Sequence, residues 1–409
     1  MVGTAGVDYI AEEVQLSDGT SVHIDGSTKP TLDVRAGVDP TQINASGVAS
    51  SGFLPHPLIT STPTRADIKI GIVILDSNTP DGVVFLTNQY QPNTSITGGT
   101  IEFGAIFAAD QINQELLYFD LRHSNGFIDL DPFSGNGGSV VIDSRGNITS
   151  NQSSLPDGLN VSFIIASSAS GASGDITFIA NDTIHLVDSF ILSDTANPHK
   201  GGDINLTARS MSLTNTRFAT FTSGIGKGQG GNLTVNVSDS VNLFNRSALT
   251  ANTDGAGNAG HLTVNTSKLI IQNDQYKLES ETGISTGALV NSSGQGGNLT
   301  VNASEFIKLI GNEPGSFPVN PNPATIRELS LLSVGIATTT EGPGDAGTLT
   351  LNTKQLITQD GAGVATVARL GSTGGNGGRL TINANQVWLQ GKGGVGSASV
   401  GPGNAGELF

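Results

Sequence analysis

A seven-residue phrase returns along most of this chain, and no other feature narrows its folding options as much. Starting at Gly231 it reads GNLTVNV, at Gly260 GHLTVNT, at Gly297 GNLTVNA, at Gly347 GTLTLNT and at Gly378 GRLTINA. Looser copies begin at Gly202 (GDINLTA), Gly174 (GDITFIA), Gly138 (GSVVIDS) and Gly99 (GTIEFGA), and Gly406-Glu407-Leu408-Phe409 opens a tenth. The anchors lie 28 to 50 residues apart, with a basic unit of 28 to 31 that insertions lengthen in places. Self-similarity at such a period marks a repeat architecture.

Within each copy apolar and polar residues alternate, as in Leu299, Val301 and Ala303 against Thr300 and Asn302. That is the pattern of a strand with one buried face. A second apolar stretch follows about eight residues on, such as Val241-Asn242-Leu243 or Val387-Trp388-Leu389. A third, such as Ala248-Leu249-Thr250-Ala251, leads through a Gly-rich loop to the next anchor. Each unit thus predicts three short strands and three corners. One unit cannot bury its apolar side alone, but stacked units pair strand on strand at about 4.8 Å.

The expected product is an all-β parallel β-helix. It predicts an inward ladder of Leu233, Leu262, Leu299, Leu349 and Leu380. Two outward ladders follow, Thr234, Thr263, Thr300, Thr350 and Thr381, and Asn236, Asn265, Asn302, Asn352 and Asn383. Stacked amides of this kind hydrogen-bond along their ladder. Nine steps make a rod on the order of 43 Å long. Leucine-rich repeats would need an LxxLxLxx(N/C)xL frame, propellers a unit of about 40 to 45 residues, and membrane barrels evenly spaced strands of about ten residues with aromatic girdles. The chain shows none of these.

Residues 1–98 repeat poorly and are expected to form irregular leading coils, with a long loop over 37–63 that is rich in Pro, Ser and Gly. Residues 99–409 form the regular repeats, interrupted by insertions at 273–296 and 311–331. In a solenoid such insertions map to surface loops.

Composition excludes further classes. Asp plus Glu number 35 against 19 Lys plus Arg, for a net charge of -16, which argues against nucleic acid because phosphate binding needs Lys and Arg. The most apolar run, IKIGIVIL at 68–75, is far below the ~20 residues of a transmembrane helix, so no membrane span is expected. The first residues lack the basic start and apolar core of a signal peptide. Absence of cysteine removes thiol nucleophiles and disulfides.

Catalytic and metal-binding patterns were sought because parallel β-helices also carry polysaccharide lyases and hydrolases. Asn252-Thr253-Asp254 matches one hydrolase element, but its usual companions, an Asp-Asp pair, Gly-His-Gly and Arg-Ile-Lys, are missing. The densest polar stretch, FDLRHSNGFIDLDP at 119–132, sets Asp129 and Asp131 on one strand face. Two such carboxylates could hold calcium or act as acid and base, yet no partner is evident, and a solvated edge is expected. Six histidines, His23, His56, His123, His185, His199 and His261, show no metal-ligand spacing. No catalytic, cofactor-binding or metal-ligating residue is assigned. The many Asn-x-Ser/Thr triplets, such as those at Asn232, Asn298 and Asn302, are read as by-products of the LTVN ladder rather than glycosylation acceptors.

The GGNLTVN and GNAGxLT anchors at Gly231, Gly260, Gly297 and Gly378, with the phrases LDVRAG at Leu32 and VFLTNQYQPN at Val84, resemble filamentous-haemagglutinin-like exoproteins of the cyanobacterial type. The resemblance covers nearly the whole chain. It implies a right-handed parallel β-helix, export by two-partner secretion through an outer-membrane transporter, and a secreted or cell-surface location. The activity it implies is adhesion, to cell-surface glycans or extracellular matrix. The signal peptide and secretion domain with which such exoproteins begin are not recognisable here, and Phe409 falls in mid-strand, so self-association through open strand edges is expected. The leading expectation is a non-enzymatic adhesin or structural exoprotein segment. The alternatives are a polysaccharide-active β-helix enzyme and a non-functional gene fragment.

Overall fold

A computed structural model describes residues 2–3, 12–24, 31–37, 67–75, 82–91, 98–108, 136–151, 153–154, 160–168, 171–196, 198–222, 228–274, 282–289, 292–312, 334–369, 374–399 and 402–409. All regular structure among them is β-strand. Its organisation follows from three inward columns. On the first face Leu32, Val84, Val140, Ile176, Ile204, Leu233, Leu262, Leu299, Leu349 and Leu380 pair successively in parallel register. Leu408 adds a further rung through a single parallel bridge to Leu380. On the second face the column runs Ile68, Ile101, Ile148, Ile184, Met211, Val241, Leu269, Ile307, Leu356 and Val387. On the third it runs Val73, Ile106, Ile164, Ile191, Phe218, Leu249, Ile284, Ile336, Val364 and Val395. Nearly all of these side chains meet in one continuous buried core. This is a parallel β-helix, as the repeat predicts.

The expected three separate strands are instead three faces. In the regular coils the first two faces form one bent strand, as in Leu233–Phe244 and Leu299–Ile310, and the third is a short strand such as Ala248–Thr253. In Ile176–Thr195 and Ile204–Thr222 a single strand runs round all three faces. The first corner is taken by a shift of register, between Asn236 and Ser240 in one coil, without leaving extended backbone. The second corner uses left-handed residues: Asp188 (φ 46°), Asn215 (φ 47°), then Asn245 (φ 41°) and Arg246 (φ 62°). Asp and Asn tolerate that region better than other side chains, and Asn215 Nδ2 donates to Asp188 Oδ1 at 2.6 Å across the stack.

The remaining corner explains the anchor glycine. A β-carbon on Gly202, Gly231, Gly260, Gly297, Gly347 or Gly378 would overlap the carbonyl oxygen of the anchor one coil below. Only glycine allows that approach. In some coils a hydroxyl of the third face donates to the anchor carbonyl: Ser193 Oγ to Gly174 O at 3.0 Å and Thr338 Oγ1 to Gly347 O at 2.8 Å.

Gly99, read from sequence as an anchor, is not one. The strand after it, Ile101–Phe107, pairs Ile101 with Ile148 and so begins on the second face. The first-face strand preceding Val140 is Val83–Asn88, which follows Gly82. Gly99 resembles an anchor because Ile101 and Phe103 follow it at alternate positions, whereas Val83–Asn88 is apolar on both faces and lacks the anchor's alternation.

Among the described residues Ser153–Ser154 pairs antiparallel with Val161 and Asn160, and outside the coils lies an antiparallel hairpin, Glu12–Gln15 against Ser21–Ile24. Its Val14, Leu16, Val22 and Ile24 cover Val83, Phe85, Val141 and Ile179, which point outward from the first face. The 119–132 stretch with Asp129 and Asp131, most of the 37–63 loop, His56, His123 and most of the second insertion lie outside the described residues.

Candidate functional site

The regular coils present two registered outward columns on the first face. Thr234, Thr263, Thr300, Thr350 and Thr381 stand over one another, and two residues along so do Asn236, Asn265, Asn302, Asn352 and Asn383. The amides are joined: each Nδ2 donates to the Oδ1 of the preceding rung, at 2.8 Å for Asn265 to Asn236, 2.8 Å for Asn302 to Asn265, 2.7 Å for Asn352 to Asn302 and 2.8 Å for Asn383 to Asn352. An amide has two N–H donors, and the ladder uses one of them at each bonded rung. The ladder read from the sequence is therefore present at every rung.

A second ladder borders the anchor. Asp175 Oδ1 accepts from Asp203 N at 2.7 Å, Asp203 Oδ1 from Asn232 N at 2.7 Å, and Asn232 Oδ1 from His261 N at 3.0 Å. His261 Nδ1 accepts from Asn298 N at 3.1 Å, and Asn298 Oδ1 from Thr348 N at 3.0 Å. Asn232, Asn298 and Asn302 thus hold structural hydrogen bonds, in keeping with their reading as ladder residues. Burial raises the Asp175 carboxyl above its ordinary range, and the neighbouring Asp203 charge adds to the rise, against the backbone donor of Asp203 and the Lys200 charge.

In the leading coils the same amide column holds Thr87, Asp143 and Ile179. Asp143 is buried beneath the hairpin. Its Oδ2 accepts from Gln89 Nε2 at 2.7 Å, Ser17 N at 3.2 Å and Thr87 Oγ1 at 3.2 Å, while Oδ1 is buried without a hydrogen-bond partner. Arg145 Nε donates to Gln89 Oε1 at 2.8 Å at the edge of this group. Desolvation pushes the Asp143 carboxyl up, outweighing the donors Ser17 and Thr87 and the Arg145 charge. The network fastens the hairpin to the helix. Sequence reading missed it because its members are separated by up to 126 positions.

Other sequence candidates do not converge. Thr253 is buried and donates to Gly257 O at 2.8 Å, whereas Asn252 stands on the third face opposite Gly287, so Asn252-Thr253-Asp254 forms no common centre. His23 lies 3.7 Å from Glu13 on the hairpin, His185 lies on the second face, and His261 belongs to the ladder. Among the described residues no group of three or more His, Asp or Glu is placed to hold a metal ion. A shallow groove on the third face crosses Thr250, Ser285, Ala337 and Ala365 and ends at Arg369, whose Nη1 donates to Glu341 Oε1 at 3.0 Å. Among the described residues no helix is long and apolar enough to cross a membrane.

The arrangement as a whole offers repeated hydroxyl and amide donors at a spacing set by the strands. Comparison of the chain with protein-family models, with curated proteins and with solved structures gave no match.

Proposed function

We propose that the chain is a non-enzymatic segment of a secreted or cell-surface exoprotein of the filamentous-haemagglutinin type, and that its work is adhesion or the building of extracellular matrix. One observation carries this reading: the outward threonine and asparagine columns repeat in register over five coils, with every amide bonded to the next. Such a surface is rigid, and it meets a repetitive partner at many equivalent points, which multiplies weak contacts. The partners that suit it are glycans at cell surfaces or in matrix. Export through an outer-membrane transporter belongs to the same proposal and rests on the sequence resemblance.

Immobilised protein should retain cells and glycans from a polysaccharide panel. Retention no greater than that of an unrelated acidic protein would sink the adhesive reading. Release of new chain ends from any of those polysaccharides would replace it with a polysaccharide-active enzyme.

A further inference from the structure

The second face differs in chemistry from the first. In the five coils between Ser240 and Gln390, fifteen side chains occupy its outward positions. Three are aromatic, Phe244, Phe306 and Trp388, and five are glutamines, among them Gln355 and Gln386. None is Asp or Glu, in a chain with 35 acidic residues. Of the two cations on the face, Lys268 is engaged with Asp239 at 3.2 Å. Trp388 is the chain's one tryptophan and is 49% exposed. In the coil before them the same positions hold Ser210, Ser212 and Thr214, and one coil earlier Thr183, His185 and Val187, with no Phe, Tyr or Trp among them, so the aromatic character is local.

We propose that this stretch of the second face is where the protein docks a neutral, extended polysaccharide. The inference rests on the adhesive reading and assigns it a surface and a ligand class. A pyranose ring has an apolar face of C–H bonds and a rim of hydroxyls. Trp388 and Phe306 offer flat apolar surface with few rotatable bonds, and Trp adds an N–H donor. Glutamine amides both donate to and accept from hydroxyls, and Gln355 Nε2 already donates to Gln386 Oε1 at 3.3 Å, which aligns the pair along the stack. Phe306 and Trp388 lie two rungs apart, about 10 Å along the axis, so the platforms suit a chain rather than a single sugar. An anionic polysaccharide fits worse, because the molecule carries a net charge of -16 and Asp239, Asp274 and Asp360 flank the face. The first face carries the repeated amides and hydroxyls of the adhesive reading, and the second adds to it the aromatic surface that the first lacks in these coils.

The test titrates the full chain with hexasaccharides of β-1,4-linked glucose, β-1,3-linked glucose and β-1,4-linked N-acetylglucosamine. Trp388 fluorescence and calorimetry are read together. A saturable change with at least one of them is expected, insensitive to salt because the ligand is uncharged. Trp388→Ala should weaken the calorimetric Kd about tenfold or more, as removal of an anchor aromatic does, and Trp388→Phe should recover part of the loss. Phe306→Ser should weaken it several-fold, while Ser212→Ala, on the second face below the aromatic stretch, leaves it unchanged. Thermal melts confirm that each variant is folded. Equal affinity in the folded Trp388→Ala and Phe306→Ser variants overturns the proposal, as does binding confined to anionic polysaccharides and lost in salt. If none of the hexasaccharides binds while immobilised protein still retains cells, the assignment of this face fails and the adhesive reading stands. If nothing is retained, both fail.

Discussion

The outward columns of the first face have one register and two chemistries. From Thr234 to Asn383 they hold threonine and asparagine open to solvent, whereas Phe85, Val141 and Ile179 occupy the same columns in the leading coils and lie under the hairpin. The inward positions differ little between the two regions, because both must fill the same coil interior. What differs is the cover. Apolar side chains outward on a solenoid need another element over them, and the Glu12–Ile24 hairpin is that element. A ladder of amides needs none, because its hydrogen bonds run from coil to coil.

The largest effect is expected where the regular coils touch backbone to backbone. Gly297→Val sets a branched side chain against the Gly260 carbonyl, which neither coil can move away without breaking the strand pairs beside it. A loss of about 4 kcal/mol or more, or failure to fold, should appear in urea denaturation followed by circular dichroism. Gly71→Ala in the leading coils meets nothing within 4 Å and should change stability by less than about 0.5 kcal/mol. Equal effects at both sites would show that the glycine ladder is not a steric constraint.

Phe85→Ala comes next. The ring is fully buried between the hairpin and the first face, and the substitution should cost about 3 kcal/mol. The loss should be local: amides of Glu12–Ile24 exchange faster, while those of Leu299–Ile310 keep their protection. Uniform loss of protection along the chain would mean that the hairpin and the regular coils unfold as one unit.

Asp143→Asn gives a smaller effect with a sign set by pH. Burial raises the native carboxyl above its unfolded value, so between the two the native state holds more protons than the unfolded chain. Its contribution to stability is full below the unfolded value, near 3.9, and is lost as pH rises through the raised native one. The amide carries no charge to desolvate. The variant should therefore gain on the parent as pH rises from about 4 to 7, measured as the difference in urea midpoints. A gain that shrinks as pH rises would show that the Arg145 charge and the Ser17 and Thr87 donors outweigh burial.

Much of the regular region was legible in the sequence because its periodicity is strict. The Leu233 to Leu380 column, the threonine and asparagine ladders and the position of the anchors follow from counting two residues along a strand and one unit along the chain. The leading coils were less legible for physical reasons. Val83–Asn88 is apolar on both faces and so hides the first-face pattern, while Ile101 and Phe103 after Gly99 alternate as an anchor strand does although they lie on another face. The Asp143 network joins Ser17, Thr87, Gln89 and Arg145, which no local pattern connects. The apolar residues at outward positions 85, 141 and 179 did hold a signal, since an exposed strand face should not be apolar without a cover. The aromatic and glutamine content of the second face became visible only when register placed Phe306 two rungs from Trp388.

The smallest effect tests the amide ladder itself. Asn302→Ala removes the donor to Asn265 at 2.8 Å and the acceptor of Asn352 at 2.7 Å, both on a half-exposed surface where water replaces what is lost. A net hydrogen bond contributes about 0.5–1.5 kcal/mol when both partners are buried and less when they are wet. The expected loss is therefore about 1 kcal/mol for the pair. If the ladder is cooperative, the double variant Asn265→Ala, Asn352→Ala should cost less than the two single changes together, because each single change already removes the mutual strengthening of the two bonds at Asn302. Additive losses would reduce the ladder to independent contacts. The uncovered first face would then owe its stability to the inward leucines alone, as the covered one owes much of its own to the hairpin.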